Sequence, residues 1–110
     1  MKYISLNKLP IKSVSHNVNI KKKTILKKGN IPHLTNFSQA VFTSGQIANI
    51  HSHNDMWEVF FVQSGSGIIK VNGSEYLLVK DVCVMVEPKE SHEIINNGKD
   101  DLIINYFGII

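Results

Sequence analysis

At 110 residues, with 43% apolar and 19% charged side chains, the chain has material for one domain of ordinary size and not for two. A single cysteine, Cys83, excludes a disulfide scaffold, and no apolar run approaches the roughly 20 residues of a membrane-spanning helix. Neither an anchor nor a signal peptide is expected, and a reducing, cytoplasmic setting is the default.

The net charge of +3 hides a division between two parts of the chain. The first 28 residues hold eight of the twelve Lys and no acid, whereas Gly29 onward carries four Lys against nine Asp and Glu, and Arg is absent throughout. Residues 1–28 are therefore expected to form a basic arm with edge-strand character, alternating around Val18 and Ile20, and residues 29–110 the body. Lysines blunt exposed strand edges. The run Lys21-Lys22-Lys23 lacks both Arg forks for phosphate and aromatics for base stacking, so no nucleic-acid partner is expected. The arm should lie along the outside of the body with its Lys side chains in solvent.

From Phe37 onward the pattern is of short strands and tight turns, with no stretch of about 12 residues keeping apolar positions at helical spacing. Strands are predicted at 37–43, 46–53, 57–63, 67–71, 75–79, 82–86, 92–95 and 102–107. The pair Asn72-Gly73 between GIIKV and SEYLLV is a strong hairpin signal, because both residues tolerate the positive φ of a type I′ turn. This number of strands at this rhythm predicts an all-β barrel or sandwich. EVFFV and VCVMV are apolar on both faces, so one face should meet the interior and the other a second layer or a partner chain.

His51 and His53 are two apart on a predicted strand and share a face. After the turn comes Glu58, and if the flanking strands pair antiparallel its carboxylate reaches the same point. Two neutral imidazoles and one carboxylate on one side of a metal leave open positions for substrate. His92 is the fourth candidate, opening the strand that follows Pro88. Such a set suits a divalent transition metal (Fe, Mn, Ni, Zn or Cu) without choosing among them. If the imidazoles keep ordinary pKa values near 6.5, acid should expel the ion with up to about three protons taken up. His16 and His33 carry no such spacing and are expected on the surface.

Period-2 counting from these residues puts Asn49 and Ile47, Phe60 and Val62, and Ile94 and Asn96 on the inner wall. The pocket set Asn49, Phe60, Val62 and Ile94 is mostly apolar and suits a small organic ligand. Parity does not fix Tyr106, Tyr76 or Met85, for which core packing is the simpler expectation. Cys83, mid-strand between valines, is expected to be inert packing.

The stretch GQIANIHSHNDMWEVFFVQSG, with Gly45, His51, His53, Glu58 and Gly65 in place, resembles the first motif of the cupin superfamily. KDVCVMVEPKESHEIIN resembles the second, keeping Asp81, Pro88, His92 and Asn96. It departs where Lys80, Glu87 and Lys89 replace Gly, Pro and a turn Gly, which puts backbone geometry in doubt and leaves the ligands intact. The resemblance spans Gly45 to Asn96. It implies a single-domain cupin, a double-stranded β-helix or jelly-roll barrel, with a three-His, one-Glu metal site, and a homodimer pairing through sheet faces and N-terminal strands.

The fold hosts oxygenases, lyases, isomerases and binding modules alike, so it does not choose the chemistry. A metal-dependent enzyme on a small organic substrate is the first expectation. A non-catalytic binding or sensing module is the alternative, because no general acid or base stands out beyond the ligands. A metal-free epimerase ranks last.

Overall fold

The computed structural model describes residues 1–110. A single 3₁₀ turn at Leu6–Lys8 precedes ten strands: β1 Lys12–Val14, β2 Asn17–Lys27, β3 Leu34–Phe42, β4 Ile47–His51, β5 Trp57–Ser64, β6 Ser66–Val71, β7 Ser74–Val79, β8 Cys83–Val86, β9 His92–Ile95 and β10 Leu102–Ile109. They form two antiparallel sheets, one of six strands in the order β1-β2-β3-β10-β5-β8 and one of four in the order β4-β9-β6-β7. This is the jelly-roll barrel that the strand rhythm and the motifs predict.

The inner faces follow from apolar alternation. Ala40 and Phe42 on β3, Phe60 and Val62 on β5, Ile69 on β6, Leu78 on β7, and Leu102 and Ile104 on β10 are buried together in one core. Turn chemistry falls where the sequence places it. Asn72 and Gly73 take φ of 49° and 84° and close the β6–β7 hairpin. Gly65, at φ 83°, leaves no room for a Cβ, which would overlap the Asp101 carbonyl. The departures in the second motif also resolve: Lys89 itself adopts the left-handed conformation at φ 70°, and beside Lys80 it is Asp81 that does so, at φ 74°.

The basic arm is woven into the fold. β2 lies between β1 and β3, and its Ile20 is fully buried in the core. Long pairing with β3 sets which Lys points where: Lys22 stands opposite Ala40 and Lys21 opposite Val41. Lys21 faces solvent, but Lys22 and Lys23 are only partly exposed. The expectation of a Lys row wholly in solvent therefore fails for the members of the run that packing covers.

The outer face of the six-stranded sheet is apolar. Trp57, Phe61, Met85 and Ile109 are exposed there, and Phe37 and Phe107 meet edge to face. Cys83 is exposed on this side of β8 rather than packed inside, because β8 ends the sheet and its odd positions look outward.

Candidate metal centre

The four residues His51, His53, Glu58 and His92 converge at one end of the barrel. Their nearest donor atoms all lie within 4.8 Å of one another. The route differs from simple hairpin pairing. β4 and β5 do not pair: β4 hydrogen-bonds to β9, and β5 to β10 and β8. Glu58 thus approaches the histidines across the gap between the two sheets. His92 is delivered by β9, directly opposite His51. His53 lies beyond the end of β4, where the Lys89 amide donates to its carbonyl (2.6 Å) and ties the two motifs together.

A bulge corrects the inner-wall count on β4. Ala48 pairs with Ile94 and His51 with His92, so three steps on β4 match two on β9. Ala48 and His51 both face inward as a result, and Asn49 and Ile47 are exposed. Asn49 supports the site from outside. Its carbonyl accepts from His51 Nδ1 (2.8 Å) and its Nδ2 donates to the His16 carbonyl (3.3 Å). Of the other predicted wall residues, Phe60 and Ile94 line the cavity, whereas Val62 is fully buried deeper in the core. Asn96 is a structural tie: its Nδ2 donates to the carbonyls of Phe42 (2.8 Å) and Asp100 (2.9 Å), and its Oδ1 accepts from the Gly98 amide. Tyr106 lines the cavity, while Tyr76 and Met85 are exposed.

The cavity has a volume of about 150 Å³, the bulk-liquid volume of about five water molecules. Two of its residues come from the arm and carry no motif. His16, in the β1–β2 turn, stacks on His51 with ring centroids 3.6 Å apart, and Lys22 lines the same cavity. His16 is therefore part of the site and not a bystander on the surface. Side chains stitch its turn to β4: Asn17 Nδ2 donates to the Ile47 carbonyl and Gln46 Nε2 to that of Asn19, both at 2.9 Å. No local pattern announces this, because the partners are some thirty residues apart. Lys22 was accessible from parity alone, since it lies two residues beyond the core residue Ile20.

The hydrogen bonds fix how the donors point. His51 Nδ1 and His92 Nδ1 each face a backbone carbonyl, of Asn49 (2.8 Å) and Glu90 (3.1 Å). In the neutral ring that carbonyl takes the Nδ1 proton, leaving the Nε2 lone pair free. Glu58 Oε1 lies 3.0 Å from His53 Nε2 and 3.1 Å from His92 Nε2. A lone pair of neutral His92 aimed at a carboxylate oxygen is repulsive unless a positive charge lies between, either a proton or a metal ion. Bonds of about 2.1 Å meeting at a right angle put adjacent donors about 3.0 Å apart, so the spacing fits a first-row metal.

The titration behaviour separates the four residues of the cluster. Burial holds His51 down to about 4, against the support of the Asn49 carbonyl. His16 is also lowered, by burial and then by the charge of His53. Burial pushes His92 down too, but its hydrogen bonds to the Glu58 carboxylate and the Glu90 carbonyl, together with the negative charges of Glu58 and Glu90, outweigh it and the net shift is upward. Burial would raise Glu58, and the facing histidines, His92 first, bring it below its ordinary value. Tyr106 is pushed up to about 12 by burial, so its hydroxyl keeps its proton.

Comparison with known proteins agrees with this architecture. The family model described as the cupin domain matches residues 39–107. An oxalate-binding protein of Thermotoga maritima is 30% identical over 67 residues, covering 60% of this chain and 54% of the relative. The chain thus spans about half the length of that curated relative. A Thermotoga maritima structure described as a predicted oxalate decarboxylase superposes with a TM-score of 0.90 at 19% identity, covering 99% of each chain. KdgF from Halomonas sp. gives 0.83 at 16% identity, covering 100% of this chain and 94% of the other. At these identities the two structures establish a shared fold alone.

Proposed function

This chain belongs to the cupin family, and from that premise we propose that it is a metal-dependent enzyme acting on a small organic substrate, with His51, His53, Glu58 and His92 as the ligands of a divalent transition metal. The observation that carries the reading is the pair of imidazole nitrogens turned on a single carboxylate oxygen, with the far nitrogen of His92 already committed to a carbonyl. That arrangement calls for a cation, and three imidazoles with one carboxylate admit Fe, Mn, Ni, Zn or Cu.

A divalent ion held there would supply polarisation of a substrate oxygen or a binding position for dioxygen. The chain's own residues prepare the rest. Phe60, Ile94 and Ile104 give the cavity an apolar wall that excludes water from the substrate. Tyr106, protonated at neutral pH, presents a hydroxyl donor. The carbonyls of Asn49 and Glu90 hold the His51 and His92 rings in one orientation and one tautomer.

Metal analysis of protein purified without chelator, for wild type and Glu58→Gln, tests the ligand set. Near-stoichiometric metal in the wild type and little in the variant is expected, and equal content in both would overturn the reading. A screen of small organic acids for oxygen consumption and product formation tests catalysis.

A second reading, a non-catalytic binding module, is favoured by the cavity's inventory. Outside the ligand cluster its titratable side chains are His16, Lys22 and Tyr106, and no two of them form a hydrogen-bonded acid–base pair. The name of the Thermotoga relative, an oxalate-binding protein, fits it as well. Saturable binding without turnover across the screen would decide for this reading.

The apolar outer face of the six-stranded sheet supports a homodimer formed through Trp57, Phe61 and Met85. Light scattering should give a dimer mass for the wild type and a monomer mass for Phe61→Glu. A single free cysteine is in keeping with a reducing, cytoplasmic compartment. No helix is long and apolar enough to cross a membrane.

A further inference from the structure

Lys22 stands apart from its neighbours in the basic run. Lys21 Nζ donates to the Val18 carbonyl (3.1 Å) and Lys23 Nζ to the Leu6 carbonyl (3.1 Å), both on the side of β2 away from the barrel interior. Lys22 is turned the other way, into the cavity, by its pairing with the buried Ala40. It takes part in no ion pair and no side-chain hydrogen bond. Its nearest charged neighbour in register is another cation, Lys12 on β1. Burial, and then the charge of Lys12, depress its pKa.

A partly buried ammonium with no counter-charge is unfavourable, and a methionine would fill the same space at less cost. The one carboxylate lining the cavity, Glu58, is committed to His53 and His92. A divalent ion against that single carboxylate, with the Lys22 ammonium added, leaves the cavity net positive. The missing partner is an anion small enough for about 150 Å³.

We propose that Lys22 is the specificity-determining residue of this site, selecting a small dicarboxylate with one carboxylate at the His51, His53, Glu58 and His92 cluster and the other paired with the Lys22 ammonium. The proposal rests on the metal-site reading for the first carboxylate and on the β2–β3 register for the second. The apolar walls of Phe60 and Ile104 then face the carbon chain between them. The arm that supplies this cation lies outside the matched family region, residues 39–107.

Titration calorimetry of the Mn(II)-loaded protein with malonate, and with neutral malonamide, tests this in wild type, Lys22→Met, Lys22→Arg and Lys21→Met. Malonate should bind Lys22→Met at least about tenfold more weakly than wild type, the loss of one charge-assisted hydrogen bond. Lys22→Arg should retain most of the affinity. Malonamide should not distinguish wild type from Lys22→Met. Lys21→Met removes the same charge from the outer side of β2 and should leave malonate binding unchanged. Equal malonate affinity in wild type and Lys22→Met, an equal loss in Lys21→Met, or no malonate binding to wild type at millimolar concentration would each overturn the proposal. Mn(II) affinity, measured first in each variant, separates this from failure of the metal site. If wild type takes up no Mn(II), the titrations are repeated with Zn(II) and Ni(II); uptake of none of these would show that the ligand set is wrong, and the Lys22 dependence of malonate binding is then read on the metal-free protein against the same outcomes. Circular dichroism and thermal melting confirm that each variant is folded.

Discussion

The two sides of the site are built differently. Glu58 and His92 are 6% and 1% exposed, come from regular positions on β5 and β9, and share their charge through a 3.1 Å contact. His51 and His53 stand at the open side, one at the end of a bulged strand and one beyond it, with His16 from the arm stacked on the first. Burial acts on both sides, yet the outcomes are opposite. His92 has a carboxylate against it and is driven toward the charged form, while His51 has only a carbonyl and is held neutral down to about 4. A carboxylate in direct contact with His92, and none in contact with His51, accompanies the opposite shifts of these two rings.

Removing that carboxylate is the largest way to break the difference. Glu58→Gln keeps the shape, removes the anionic ligand and strips His92 of the partner that charges it. Metal affinity should fall by more than about 100-fold, beyond the effect of losing an outer-shell partner. His51→Ala, on the open side, should cost less than Glu58→Gln. Competition with a chelator of known affinity measures both, and a larger loss in His51→Ala would show that the open side carries the site.

The supporting frame comes next. Asn96→Ala removes three hydrogen bonds that tie the ends of β3 and β9 to the turn before β10, and leaves buried carbonyls without donors. A loss of about 3 kcal/mol is expected. Urea unfolding of the metal-free protein reads it, and unchanged stability would show that these carbonyls find other partners.

Acidity sharpens the comparison further. The folded metal-free protein holds His92 above its ordinary value, so the stability this gives is complete below about 6.5 and is lost as pH rises through the raised value. His51 and His16 have lowered values. The unfolded chain binds their protons more readily, and stability falls as pH drops from about 6.5 toward 4. The lowered Glu58 adds a loss at still lower pH. Metal-free protein should therefore melt highest near pH 6.5 and lower on either side. Metal affinity should rise with pH through the raised value of His92, with no proton released from His51 above about 5. The uptake of a proton by every imidazole near 6.5, as ordinary values would give, does not apply, because burial has already neutralised His51. Melting scans with and without chelator, and calorimetry in buffers of different ionisation enthalpy, check both statements.

The smallest effect expected is at the seam between the motifs. Lys89 holds φ 70° while its amide donates to the His53 carbonyl. Lys89→Gly should raise stability by up to about 1 kcal/mol by relieving that conformation, offset in part by the freedom glycine has when unfolded. Metal affinity should be unchanged, since the side chain is exposed and does not line the cavity.

Much of this site is legible along the chain because its signals are local. His51, His53 and Glu58 fall within eight residues, and His92 begins a strand that its own alternation announces. Phe60 and Ile94 follow from counting by two. Asn49 does not, because the bulge that reverses the count is defined only by the partner strand β9. Val62 shares the inward face of Phe60 but lies deeper, and depth is a property of the assembled barrel.

The amino-acid sequence by itself determined the strands, the Asn72-Gly73 turn and the members of the His51, His53, Glu58 and His92 cluster, since a two-residue side-chain period and positive-φ turns depend on neighbours a few positions apart. Only the tertiary structure decided that Glu58 meets the histidines across two sheets, that β2 turns Lys22 inward, and that His16 stacks on His51. Each of those depends on which distant strand supplies the hydrogen bonds: β9 for β4, β3 for β2, and the side chains of Asn17, Gln46 and Asn49 for the hairpin turn.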